Sequence, residues 1–268
     1  MLGAVAGRTR RLRLATTSLL LPLHHPLRVA AETATLDALS GGRLWLGLGR
    51  GFRAPVFEGF EVEAATKRDR FDEALDAVLA AWSGDEVALA GVHFAARDGA
   101  RLRLGLRPVQ RPHPPLVVAA FGRKGLLQAA RRGLPYLASP LETLATLEEN
   151  YALWREERRG DAAPGVQAPV MRTVFVAGDD AEAGRVRDAL AGEARGIAAS
   201  APRALARAAG GALDERVLVG VAGEVRDGIA RYRERLGMDL LVARVEVGGV
   251  SPAARDASLE RLAELVAA

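Results

Sequence analysis

Residues Leu12 to Phe52 read "LRLATTSLLLPLHHPLRVAAETATLDALSGGRLWLGLGRGF". The run Leu12 to Pro22 is β-branched and Leu-rich, apolar on both faces and closed by proline, which suits a parallel strand covered by helices. In the next segment Pro26 belongs in a first helical turn, and Val29, Thr33, Leu36 and Leu39 recur at helical spacing, so they predict one buried face. Gly41 fits the left-handed position just past a helix end. "RLWLGLG" then reads as a second buried strand. Strand, helix and strand in about 40 residues are a βαβ unit, and the pattern repeats along the chain.

A loop rich in Phe, Pro and Gly continues to about Thr66, and a helix is predicted from about Arg68 to Trp82 with Phe71, Leu75, Val78 and Leu79 on one face. The stretch of about 84–115 lacks a helical period and forms an excursion, with "RDGAR" as a hairpin turn and "RPHPP" as an extended, proline-stiffened lead-in. Alternation resumes with the strand "LVVAA", a helix from about Lys124 to Arg132, the short strand "PYLA" and a helix from Leu141 to about Arg158. Then come "VMRTVFVAG", a helix after Asp179 and Asp180, a segment mostly helical from Ala222, the strand "DLLVARVEV" and a closing helix. Parallel-type strands are therefore predicted at Leu12, Leu44, Leu116, Pro135, Val170 and Asp239. Such β-then-α units build either a doubly wound sheet or a (β/α) barrel, and in both the active site lies at the carboxyl ends of the strands. No Ser/Pro/Gly linker interrupts residues 1–268, which reads as one α/β domain.

Half the chain is apolar (49%), ample for a sizeable core. Lys plus Arg exceed Asp plus Glu by 37 − 33 = 4, but the arginines are spread over helices that also carry glutamates, unlike a clustered nucleic-acid surface. The absence of cysteine excludes disulfides and thiolate chemistry. No apolar stretch approaches the roughly 20 residues that span a bilayer, and the first residues lack a signal-peptide core, so a cytoplasmic protein without a membrane partner is expected.

Within "GLGRGF" the spacing is G-x-G-x-G and no helix is expected directly behind it, which argues against a dinucleotide fingerprint. Gly47, Gly49 and Gly51 let a strand end bend, whereas Arg50 at that end can grip a phosphate through two parallel hydrogen bonds. "AAFGRKG" repeats the logic: a strand ends, Gly122 permits close approach, and a helix start presents N–H groups beside Arg123 and Lys124. His24 and His25 also follow a strand end. His24 is placed to line a pocket, His25 to pack at a helix N-terminus, and the remaining histidines, His93 and His113, lie in the excursion, so no metal site is expected. "FEGFEVE" reads as part of a solvated lid, and Asp179 and Asp180 as helix caps.

Taken in order, "LLLPLHHPLRVAAETATLDALSGGRLWLGLGRGF", "FEGF", "RPVQRPHPPLVVAAFG" and "ARRGLPYLAS" resemble the luciferase-like flavin-dependent oxidoreductases, the family of bacterial luciferase. The resemblance implies a TIM-type (β/α)8 barrel and FMN, or alternatively a deazaflavin coenzyme, at its C-terminal face. It implies a monooxygenase that uses reduced flavin and molecular oxygen on a small-molecule substrate. Partners would be a separate flavin reductase and further copies of the chain. Arg50 matches the arginine that holds the flavin phosphate, flanked by Gly49 and Gly51. Thr17 and Ser18 fall where the family has a non-prolyl cis peptide or bulge against the isoalloxazine ring. Phe121, Gly122 and Gly125 align with the phosphate loop; the family carries acidic and hydroxyl side chains there, which backbone N–H groups with Arg123 or Lys124 would replace. His24 is the one candidate for a catalytic role. The family match places Leu12 on the third strand of the barrel, so the first two βα units are expected to lie outside this chain, which then opens inside the second helix. Alternatives are a non-catalytic flavin-binding paralogue or fragment and a deazaflavin-dependent hydride-transfer enzyme.

Overall fold

Leucine and valine on strands, and alanine-lined helix faces laid across them, generate an α/β architecture with parallel sheets. The computed structural model describes residues 1–120, 122–160, 165–200 and 211–267, and the chain divides into two compact units, Met1–Ala119 and Ala120–Ala268.

The first unit runs α1 (Leu2–Arg8), β1 (Leu14–Leu20), α2 (Pro26–Ser40), β2 (Leu44–Gly49), α3 (Ala54–Gly59), α4 (Lys67–Ser83), β3 (Val87–Ala88), β4 (Arg101–Leu102) and β5 (Leu116–Ala119). β2 pairs in parallel with β1 and with β5, so its residues Leu44, Leu46 and Leu48 are buried. α2 and α4 pack together, and Trp82 of α4 donates its indole N–H to the Ala30 carbonyl at 3.1 Å. The helix α2 ends as its glycine predicts, with Gly41 at φ 65°.

Three details depart from expectation. β1 is shorter than the run Leu12 to Pro22: Leu12 is exposed, Leu21–Leu23 form a 3₁₀ turn, and β1 alternates, with Leu14 buried but Ala15 and Thr17 exposed. Leu39 is 65% exposed, because the buried stripe of α2 passes through Asp37 and Ser40 instead. Asp37 is buried because it is fully used: its carboxylate accepts from the backbone N–H groups of Val109 and Gln110 at 2.8 and 3.0 Å and from the Gln110 amide at 2.7 Å. Finally, "RDGAR" is not the hairpin tip. β3 and β4 pair antiparallel, but the chain reverses at Gly91–Phe94, where the Glu73 carboxylate accepts from the N–H groups of His93 and Phe94, and Arg97–Gly99 form a 3₁₀ turn.

The second unit runs α5 (Arg123–Arg131), β6 (Tyr136–Leu137), α6 (Leu144–Glu157), β7 (Pro169–Val176), α7 (Asp180–Ser200), β8 (Val217–Gly220), α8 (Ala222–Leu236), β9 (Leu240–Arg244) and α9 (Pro252–Ala267). β7 pairs in parallel with β8 and β9, and Ala138 bridges to Val170. "VLVG", expected only as the lead into a helix, is thus a strand: its four residues are all buried beneath α7 and α8. Asp179 caps α7 by accepting from the Glu182 N–H at 2.7 Å. Near the end of β7, the Ser258 hydroxyl of α9 accepts the Val176 N–H at 2.8 Å.

Arg172 on β7 is fully buried and donates to the Tyr232 hydroxyl at 2.7 Å and to the carbonyls of Ser139, Met171 and Glu142 at 2.7–2.9 Å. Nearby, the Glu142 carboxylate accepts from the Tyr136 hydroxyl at 2.5 Å, the Ser139 N–H at 2.9 Å and the Asn150 amide at 2.8 Å. Burial raises the Glu142 carboxyl above the usual carboxylate range despite these donors and Arg172.

Arg172→Ala should leave the Tyr232 hydroxyl and three carbonyls short of a donor and Glu142 without its positive neighbour. A loss of about 3–5 kcal/mol in urea unfolding is expected; a loss below 1 kcal/mol would show the network to be idle. The raised Glu142 gives a signed pH prediction. The native state holds a proton that the unfolded chain has released, so stability declines as pH rises from the ordinary carboxylate range to the native one. Glu142→Gln should flatten that decline in urea midpoints measured from about pH 4 to 8.

Candidate functional site

The C-terminal end of β2 is shaped by how closely β1 lies against it. The pairing is Thr17 with Gly47, Leu19 with Leu48 and Leu20 with Gly49, so Ser18 is an extra residue, and the Thr17–Ser18 peptide is cis. That is the feature expected at these two residues. Gly47 and Gly49 make room for it: a Cβ on Gly47 would overlap the Thr16 carbonyl oxygen, and one on Gly49 the Ser18 hydroxyl. Thr16 closes the contact by donating its hydroxyl to the Gly47 carbonyl at 2.9 Å.

Arg50 follows, half-buried, and Gly51 turns the chain at φ 74°. A Cβ on Gly51 would stand 2.9 Å from the Phe57 ring. Phe57 is buried on α3, a six-residue helix that begins at Ala54, so a helix does start close behind the glycines where an irregular loop was expected. Pro55 in its first turn and Arg53 in extended conformation make that early start possible.

Beneath α3 the start of α4 adds charge. The Lys67 ammonium lies over the Phe57 ring, 5.7 Å from its centroid. Burial lowers the Arg50 guanidinium below its ordinary value and Arg68 adds to the effect, while Asp72 opposes it. Burial likewise lowers Lys67, with Arg50 and then Arg68 acting in the same direction. Arg50, Lys67 and Arg68 therefore share one neighbourhood. The sequence reading named Arg50 but passed over Lys67 and Arg68. A signal was present: "TKR" opens a helix, where cations oppose the dipole and anions are favoured.

His24 is held on the same side of this unit. It follows the 3₁₀ turn, half-buried, with its ring edge-on to Phe60 at 6.4 Å, and Phe60 caps α3. Arg70 fixes the turn by donating to the Pro22 carbonyl at 3.0 Å while its guanidinium covers Phe94 at 4.7 Å. His25 packs edge-on against Phe94 just before α2, as expected of it. Phe52, two residues after Arg50, and Phe60, at the end of α3, are 53% and 56% exposed.

In the second unit Gly122 has φ 73° and immediately precedes α5; Arg123 and Lys124 are exposed in its first turn, and Gly125 is buried. Phe121 lies outside the described residues. Thr17, Ser18, Gly49, Arg50, Gly51 and His24 thus belong to the first unit, and Gly122, Arg123 and Lys124 to the second. Among the described residues no group of three or more His, Cys, Asp or Glu side chains is arranged to hold a metal ion.

The donor set fits a flavin phosphate: guanidinium and ammonium groups share one neighbourhood at a strand end. Residues 1–239 match the sequence profile of the luciferase-like monooxygenase family. The chain is 30% identical, over 140 residues, to the oxygenase component of the flavin-dependent trigonelline monooxygenase of Acinetobacter baylyi, covering 51% of this chain and 38% of that protein. It is 36% identical, over 136 residues, to the F420-dependent glucose-6-phosphate dehydrogenase of Beutenbergia cavernae, covering 49% and 39%. These matches span less than half the length of either relative. The crystal structure of the monooxygenase RslO1 from Streptomyces bottropensis superposes with a TM-score of 0.78 at 29% identity, covering 99% of this chain and 80% of that one. Flavin-dependent monooxygenases and F420-dependent oxidoreductases are therefore both homologues, and the chain belongs to the luciferase-like monooxygenase family.

Proposed function

We propose that the chain is a flavin-dependent oxidoreductase of the monooxygenase type, a domain of the (β/α)-barrel kind that uses reduced FMN and molecular oxygen on a small organic substrate. The observation that carries this reading is the neighbourhood shared by Arg50, Lys67 and Arg68 at the end of β2, beside the bulged, cis Thr17–Ser18 segment. A bound flavin supplies the redox chemistry with oxygen, and the protein supplies position, charge and shelter from water.

Arg50 grips the phosphate, and Arg68 adds charge from the first turn of α4. Thr17 and Ser18 would form a backbone wall for the ring system, and Gly49 lets that wall lie close against the end of β2. Within the second unit, Gly122, Arg123 and Lys124 with the N–H groups that open α5 form an arrangement suited to an anion. Residues 53–67, with Phe57 anchored under Gly51, cover the site and exclude water. His24 lines the substrate side, where Phe52 and Phe60 provide an apolar rim. Reduced flavin comes from a separate reductase in the cytoplasm, and the working form is a homo-oligomer. Among the described residues no helix is long and apolar enough to cross a membrane. Deazaflavin-dependent hydride transfer is a second reading, favoured by the F420-dependent relative.

Arg50→Ala should weaken FMN binding about 10- to 100-fold in a fluorescence-quenching titration, the loss of a charge-assisted hydrogen bond to the phosphate. Unchanged affinity removes Arg50 from the site. Gly49→Ala should drive a methyl group into the Ser18 hydroxyl, costing roughly 1–3 kcal/mol in unfolding free energy and lowering flavin affinity; a stable variant that binds normally would refute the close approach as a requirement.

A further inference from the structure

Residues 7–13 read "GRTRRLR", and the first 31 residues carry no Asp or Glu. Arg8, Arg10, Arg11 and Arg13 are all exposed where α1 gives way to β1, and their side chains make no ion pair or hydrogen bond with the described residues. The segment that carries them is nevertheless fixed. Arg43, just before β2, donates to the carbonyls of Ala6 and Thr9 at 3.0 Å, of Leu12 at 2.5 Å and of Ser40 at 2.6 Å, and to the Thr9 hydroxyl at 3.0 Å. Four guanidinium groups are thus displayed from a clamped backbone, which need not be ordered again when a partner binds.

Carboxylates of the neighbouring elements are engaged elsewhere. In α2, Glu32 pairs with Arg28 at 3.2 Å, and Asp37 is buried against Val109 and Gln110. Just beyond α4, Asp85 accepts from the Ser83 hydroxyl at 3.0 Å and Glu86 faces Arg101 at 3.5 Å. Apolar side chains stand among the free charges. Leu12 is 56% exposed between Arg11 and Arg13, and Leu39, next to the Ser40 that Arg43 holds, is 65% exposed. The Arg13 guanidinium lies over the half-buried Trp45 ring, 5.4 Å from its centroid. A nucleic-acid backbone asks for charge alone, whereas an anionic lipid surface takes both kinds of group: headgroup phosphates meet the arginines, and the acyl boundary receives the leucines.

We infer that this face seats the protein on an anionic phospholipid surface. It lies at the N-terminal ends of β1 and β2, and Arg50 is at the opposite end of the six-residue β2, about 20 Å away. The contact is peripheral and needs no spanning helix. It is independent of the flavin reading, since none of its residues belongs to the Arg50 neighbourhood.

The test uses the full chain and sucrose-loaded vesicles of phosphatidylcholine, with or without about one-third phosphatidylglycerol, in a sedimentation assay. Wild type should sediment with the acidic vesicles and not with the neutral ones. Arg10→Gln combined with Arg11→Gln should lower the partition coefficient about 25-fold, roughly fivefold for each charge. Arg10→Lys combined with Arg11→Lys should keep it, because headgroup attraction needs charge and not a guanidinium. Leu12→Ser should weaken binding about fivefold through the lost apolar contact. These side chains are exposed, so thermal melts of the variants should match wild type. Trp45 gives a second readout, because Trp82 and Trp154 are buried: tryptophan emission of wild type should shift to the blue on acidic vesicles. Equal binding to both vesicle types, an unchanged partition of the Gln variant, or emission that acidic vesicles leave unmoved overturns the inference. If duplex DNA binds more tightly than the acidic vesicles and Leu12→Ser behaves as wild type, the face is a nucleic-acid surface and the lipid assignment falls.

Discussion

The contact on which the candidate site depends is the approach of β1 to β2 at Gly47 and Gly49. A strand pair normally leaves room for a Cβ on every residue; here the Thr16 carbonyl and the Ser18 hydroxyl occupy that room. The consequence is geometric. β1 can carry Ser18 as an extra residue while β2 continues straight to its end, so Arg50 emerges beside the bulge rather than behind it. Gly51 and Phe57 repeat the device one step later, seating α3 against the turn and bringing Lys67 above the same ring. A run of small residues thus converts an ordinary strand end into a place where backbone and cations meet.

The second unit is stabilised differently. Around Arg172 and Glu142 the interior is polar and almost completely hydrogen-bonded, with Tyr136, Tyr151 and Tyr232 spending their hydroxyls on carbonyls and charged groups. Such an interior gains little net energy from its charges, since desolvation offsets attraction, but it tolerates few alternative arrangements. It ties β6, α6, β7 and α8 together by directed bonds, where the first unit relies on Leu, Ala and Trp packing between α2 and α4.

Much of this was legible in the sequence because the signals were local. Helix and strand alternation, the Gly41 stop, the Asp179 cap and the placing of Arg50 at a strand end each follow from a residue and its immediate neighbours. The misreadings share a cause too. Leu39 belongs to the apolar repeat of α2, yet the buried position went to Asp37, whose partners Val109 and Gln110 are over seventy residues away. "RDGAR" has good turn chemistry, but Glu73, on a helix, holds the reversal at Gly91–Phe94. "VLVG" is short and gains strand status only because β7 offers an edge to pair with.

By itself, then, the sequence determined most of the order of elements, their parallel α/β character and the presence of an arginine at a strand end, since periodicity and turn chemistry act over a few residues. Only the tertiary structure decided which glycines admit a neighbouring strand, and that Lys67 and Arg68 join Arg50. Electrostatic company depends on distances in space, which fall off with separation through the fold and not along the chain.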